Sequence, residues 1–143
     1  MKVYVFGDKD GKELKDKLLP VIEEEGFEYQ DLTEDGMDAI DGMDAICDAL
    51  EKDEDKNSVG ITVESFGQLS YIAAAKHKGM VACVASDERS SLMTKRHNNA
   101  RILCLGREVV GDALAKSCVR FYLSHNYDGG RHQIRIDMLN KML

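Results

Sequence analysis

Five short β-rich runs are separated by stretches with helical spacing, and that alternation admits few folds. Lys2–Phe6, Phe27–Leu32, Val59–Val63, Met80–Ala85 and Arg101–Leu105 read as strands. Between and after them, apolar residues recur three and four apart. The pattern predicts helices over Glu13–Glu25, over the segment leading to Leu50, and over Gly67–Lys76. It also predicts Glu88–His97, Gly111–His125, and Arg131 to the end. Strands alternating with helices imply a parallel sheet covered on both faces. In such sheets ligands bind at the carboxyl ends of strands, near a switch in strand order.

Local signals refine the elements. Leu14, Leu18, Leu19, Val21 and Ile22 form the apolar set of the first helix. Pro20, the only proline, falls inside it and predicts a kink, and Gly26 is a natural stop. Residues 36–46 carry Gly-Met-Asp-Ala-Ile twice around Asp41, too short for a solenoid repeat, and they suggest a helix with an acidic, solvated face. A metal site would need converging carboxylates, and this pattern gives no sign of convergence.

At 143 residues the chain suits a single domain, 1–143, with room for a proper core. Its net charge of −7 is uneven: residues 23–55 hold 15 acids against the single base Lys52, while the remainder carries 11 acids and 18 bases. No dense basic run with interleaved aromatics is present, which argues against nucleic acid; a modest positive field suits a small anion better. Cys47, Cys83, Cys104 and Cys118 lack zinc-site spacing, and Cys83 and Cys104 sit in apolar runs expected to be buried. Neither a signal peptide nor a membrane-length apolar run is evident, so a soluble cytoplasmic protein is the expectation.

Four segments carry candidate chemistry, and three of them, at Asp8, Glu64 and His97, are expected among the loops at the carboxyl edge of the sheet. Gly129-Gly130-Arg131-His132-Gln133-Ile134-Arg135 frees the backbone just before a helix and puts Arg131 and Arg135 on one face, with His132 beside them. Two guanidiniums at a helix start suit a phosphate clamp; a solvated basic helix start is the alternative. Gly7-Asp8-Lys9-Asp10-Gly11 follows the first strand: Asp8 can bond sugar hydroxyls and Lys9 can reach an anion, or the segment is a cap and a tight turn. It lacks the Gly-x-Gly-x-x-Gly of a dinucleotide site. Glu64 ends the third strand and can be a general base with a raised pKa, a cap, or an arginine partner. His97-Asn98 closes the fourth helix and can donate to sugar oxygens, or is a basic helix end matched to the dipole.

Taken together, these segments resemble the ribose-5-phosphate isomerase type B and galactose-6-phosphate isomerase family. The matching residues are Gly7-Asp8 with Gly11 and Glu13-Leu14-Lys15, then Ile72-Ala73-Ala74 with Lys76, and His97-Asn98. Leu105-Gly106 with Val109-Val110-Gly111, and Gly129-Gly130-Arg131-His132 with Arg135, complete the set, which spans nearly the whole chain. The resemblance implies a Rossmann-like three-layer α/β/α sandwich with a five-stranded parallel sheet. It also implies aldose–ketose isomerisation of a sugar phosphate through an enediol, without metal or organic cofactor, at a site between two subunits. Carried over by position, His97 is the ring-opening histidine, Asp8 and Asn98 bind substrate, and Arg131 and Arg135 grip the phosphate. Lys9, Gly67 and His132 join the substrate-contacting set.

The departures from the family pattern are concentrated. Members with a catalytic cysteine have Cys-Gly-Thr-Gly-x-Gly after the third strand; here the stretch is Glu64-Ser65-Phe66-Gly67-Gln68-Leu69. The first-loop histidine is Lys9, the arginine expected two residues after Gly106 is Glu108, with Arg107 beside it, and a tyrosine usual in the second connection is replaced by Gly42. The resemblance therefore implies one chain of a two-chain galactose-6-phosphate isomerase. It would lend His97 and the arginines to a B-type subunit carrying the catalytic cysteine, and alone it would form a homo-oligomer. The competing readings are a self-sufficient isomerase with Glu64 as base and a non-catalytic sugar-phosphate-binding subunit.

Overall fold

The computed structural model describes all 143 residues. The elements are β1 (Lys2–Gly7), α1 (Lys12–Glu24), β2 (Glu28–Asp31), α2 (Ala39–Lys52), β3 (Val59–Glu64) and α3 (Gln68–Ala75), then β4 (Ala82–Val84), α4 (Glu88–Asn98), β5 (Ile102–Gly106), α5 (Asp112–Leu123) and α6 (His132–Asn140). All five strands are parallel, in the order β2-β1-β3-β5-β4. The order reverses between β1 and β3, so their carboxyl ends flank a crevice. No helix is long and apolar enough to cross a membrane.

Both faces of the sheet are buried, and the core divides accordingly. On one face Val3, Val5, Ile61, Val63, Leu103 and Leu105 pack against Leu14 and Leu18 of α1 and Val119 and Tyr122 of α5. On the other, Tyr4, Phe6, Ile102 and Cys104 meet Met43, Ile46 and Leu50 of α2 and Ala74 of α3. Central strands buried on both sides cannot alternate polar and apolar residues, which is why they read as continuous apolar runs.

The helix ends follow local chemistry. Asp38 caps α2 by accepting the Asp41 N–H at 2.9 Å, and the Asp41 carboxylate accepts the Asp38 N–H in return. The pentapeptide repeat therefore has no structural counterpart: its first copy forms the approach and first turn, and its second lies inside α2. Gly42 of that second copy faces the Phe6 ring, where a Cβ would come within 2.2 Å. A larger residue at 42, such as a tyrosine, has no space beside Phe6 as it stands. α1 continues through Pro20, which lies on its exposed side. Lys15, also in α1, is buried and pairs with Asp31 at 2.5 Å and Asp16 at 2.7 Å. Burial pushes its ammonium pKa down, and the two carboxylates more than offset that.

Two expectations are corrected. Cys83 is only half-buried, because β4 is a three-residue edge strand with one open side; Cys47, Cys104 and Cys118 are buried, and all four are free thiols. The candidate loops also do not share the carboxyl edge of the sheet, as the next subsection describes.

Candidate active site in two halves

One half lies at the carboxyl ends of β1, β3 and β5. Asp8 Oδ1 accepts the N–H groups of Asp10 at 3.0 Å and Gly11 at 2.8 Å, so this carboxylate holds its own loop in a turn. Gly11 fits because it lies directly on β3: a Cβ there would sit 2.0 Å from the Val63 oxygen. Lys9 is exposed. Across the crevice, Glu64 is 6 % exposed at the end of β3. Burial raises its pKa, the Asp8 carboxylate adds to the rise, and the N–H groups of Gly67, Leu69 and Phe66 oppose it. Gly67 starts α3 at φ +82, and the backbone N–H groups of Arg107 and Glu108 donate to the carbonyls of Glu64 and Ser65 at 2.7 and 2.8 Å. Phe66 is 57 % exposed over this crevice edge.

This half holds no thiol. Burial pushes Cys47 and Cys104 up to about 12, and Cys104 lies in mid-strand on β5. Glu64 is thus the carboxylate standing where the family pattern puts a cysteine.

The other half lies at the opposite edge. A helix that follows a parallel strand runs back along it, so the end of α4 is beside the beginning of β5. The Arg101 N–H, leading into β5, donates to the Val81 carbonyl just before β4 at 2.8 Å. His97 and Asn98 are at that amino edge, and the start of α6 is folded against them. The His97 and His132 rings stack with centroids 4.2 Å apart and planes 14° from parallel. Asp128 bonds Arg96 through Nε at 3.1 and 3.2 Å and through Nη2 at 3.0 Å, and the Asp128 N–H donates to the Arg96 carbonyl at 2.9 Å. Arg131, at the N-cap of α6, and Arg135, within it, are exposed, and neither pairs with a carboxylate. A groove of about 740 Å³ adjoins the cluster, lined by Asn98, Met80, Ala82, Tyr71, Leu139 and Met142 among others.

The carboxyl-edge set of Asp8, Lys9, Glu64 and Gly67 and the amino-edge set of His97, Asn98, Arg131, His132 and Arg135 therefore do not meet within one chain. Sequence reasoning missed Arg96 and Asp128. The ligand atoms of His97, Asp128 and His132 lie within 4.8 Å of one another, the one such grouping in the chain. Stacked imidazoles direct their in-plane lone pairs side by side rather than at a common point, and Asp128 is already held by a guanidinium, so as arranged the trio is an ion-pair and stacking cluster.

The chain matches the Ribose/Galactose Isomerase family over residues 3–139. It belongs to that family. It is 46 % identical to galactose-6-phosphate isomerase subunit LacA of Lactococcus lactis subsp. lactis over 142 residues, covering 99 % of each chain. It is also 46 % identical over 143 residues to the subunit of the same name from Streptococcus mutans, again covering 99 % of each. Among solved structures, ribose-5-phosphate isomerase B of Clostridium thermocellum superposes with a TM-score of 0.91 at 30 % identity, covering 99 % of this chain and 97 % of that one. The enzyme of that name from Mycoplasma genitalium, solved with bound ribulose-5-phosphate, gives 0.89 at 29 %, covering 98 % and 94 %. The Rossmann-like parallel α/β sandwich is thus shared along the full length of these isomerases.

Proposed function

We propose that this chain is the A-type subunit of a galactose-6-phosphate isomerase, working on galactose 6-phosphate and tagatose 6-phosphate together with a B-type subunit. The observation that carries this reading is the separation of the two half-sites to opposite edges of one sheet. A substrate held by Arg131 and Arg135 lies at the opposite edge from the Glu64 position of the same chain, so a second chain must bring its carboxyl edge to this amino edge. In the assembled site Arg131 and Arg135 grip the phosphate, His132 and Asn98 contact the sugar phosphate, and His97 delivers the proton that opens the ring. The partner's cysteine then moves a proton between C1 and C2 through the enediol. The carboxyl-edge residues Asp8, Lys9 and Gly67 keep the outline of a substrate pocket in which Glu64 stands at the position of the cysteine base.

Exposed apolar stripes support an assembly. Ile134 and Met138 lie four apart on α6 and are 67 and 60 % exposed, and Met142 just beyond its end is 76 % exposed. Leu69 and Ile72 lie three apart on α3 and are 46 and 51 % exposed, and Phe66 just before it is 57 % exposed. Exposed apolar residues grouped in this way are surfaces that a partner covers.

The buried, up-shifted carboxyl of Glu64 favours a second reading, in which this chain is its own base. Glu64→Gln separates the two. Glutamine keeps the shape and removes the ionisable group, and because the carboxyl is already disfavoured as an anion the fold should tolerate the change. Full activity of the assembled enzyme is the expected result. A loss of about 10²-fold or more, the usual scale for removing a general base, would transfer the base to Glu64.

A further inference from the structure

We propose that Arg96 and Asp128 are positioning residues that hold the His132 ring on His97 and so fix the orientation of the ring-opening histidine; this rests on the role proposed above for His97. The local backbone needs such a device. The approach to α6 runs through two consecutive left-handed glycines, Gly129 at φ +65 and Gly130 at φ +57. Arg131 makes no side-chain cap, and Ile136 is the one buried residue of the nine-residue helix. Left to itself, this segment has many conformations and little packing to select one. The forked Arg96–Asp128 pair supplies the selection. An exposed ion pair alone holds little, but this one makes three nitrogen–oxygen contacts of 3.0–3.2 Å and is joined by the backbone bond from Asp128 to Arg96 at 2.9 Å. Arg96 directly precedes His97 on α4, and Asp128 lies four residues before His132, across the two glycines. Tying Asp128 to Arg96 therefore lays the two rings side by side at 4.2 Å.

The pair also sets the charge around the stack. Two imidazoliums cannot sit face to face without strong repulsion. Burial, His97, Arg131 and Arg96 all disfavour a proton on His132, while Asp128 favours one, and the sum lies below the ordinary histidine value. Removing the Asp128 charge should move His132 further down.

The test is Asp128→Ala, with Asp128→Glu as the variant that can still reach a guanidinium. Stacked rings shield one another, so in the free chain the His97 and His132 ring-proton resonances should both shift downfield in Asp128→Ala and stay near wild type in Asp128→Glu. In the assembled enzyme, kcat for galactose 6-phosphate should fall about tenfold or more in Asp128→Ala and recover in Asp128→Glu, because the ring is misplaced in the first and held in the second; KM should rise in Asp128→Ala as well, since the loosened segment carries Arg131 and His132. Unmoved ring resonances in Asp128→Ala, or resonances that move with kcat unchanged, would overturn the proposal. His97→Ala in the same assay keeps the two claims apart: unaltered activity there would refute the role of His97, while the resonances still judge the stack.

Discussion

Replacing Arg131 and Arg135 together with alanine should nearly abolish use of phosphorylated substrate by the assembled enzyme while leaving the chain folded. Both side chains are exposed and unpaired on α6, so their loss removes no packing and leaves no carboxylate without a partner. What it removes, in the proposed assembly, is the grip on a dianion. A hydrogen bond to a charged group contributes about 1.5–3 kcal/mol, which is roughly 10- to 150-fold in affinity for each arginine. Each single variant should therefore raise KM by a factor in that range, and the double variant by more than either. Lysine should restore part of the loss, because it returns the charge without the planar fork. Titration with inorganic phosphate or a sugar phosphate gives the same answer without catalysis: unchanged affinity in the double variant would remove the clamp from the account.

The second large effect is on the fold. Gly11→Ala should destabilise the chain severely, because the added methyl would lie 2.0 Å from the Val63 oxygen and 2.4 Å from its carbonyl carbon. The obstacle is backbone of a central strand, which cannot swing aside as a side-chain tip can. The conformation itself is ordinary, with φ −96 and ψ −12, so the penalty is steric and not torsional. Overpacking of this kind costs about 1–3 kcal/mol and occasionally more, and contact with three backbone atoms of β3 points to the upper end. A fall in Tm of about 10 °C is expected for a chain of this size. The site suffers with it, since the Gly11 N–H is one of the two donors that set the Asp8 carboxylate. A thermal melt that coincides with wild type would mean that β1 and β3 can separate more easily than the packing implies.

The architecture was legible in the sequence because the buried strands and the helical spacing are local patterns. Lys2–Phe6 and Arg101–Leu105 reappear as β1 and β5 within a residue of their expected ends, and Glu88–His97 as α4. Met80–Ala85 shrinks to Ala82–Val84, since an edge strand has only one neighbour to extend it. The spacing of Arg131 and Arg135 on one helix was legible for the same local reason.

What the local pattern could not convey is which edge of the sheet each loop occupies. Asp8 and Glu64 follow strands, whereas His97 and Asn98 follow a helix. That difference in polarity alone separates them by the length of the sheet, and reading all of them as one loop cluster ignored it. The Arg96–Asp128 pair and the stacked histidines were invisible for another reason: they join positions more than thirty apart, and only the turn through Gly129 and Gly130 brings them together.

The division of the site between two different subunits is tested most directly by assaying galactose-6-phosphate isomerase activity of the purified chain alone and after mixing with a purified B-type subunit that carries the catalytic cysteine. The account predicts no turnover by the chain alone and full turnover in the mixture, lost again when the added subunit's cysteine is replaced by alanine. Turnover by the chain alone, abolished by Glu64→Gln, would contradict it and make this subunit a complete enzyme.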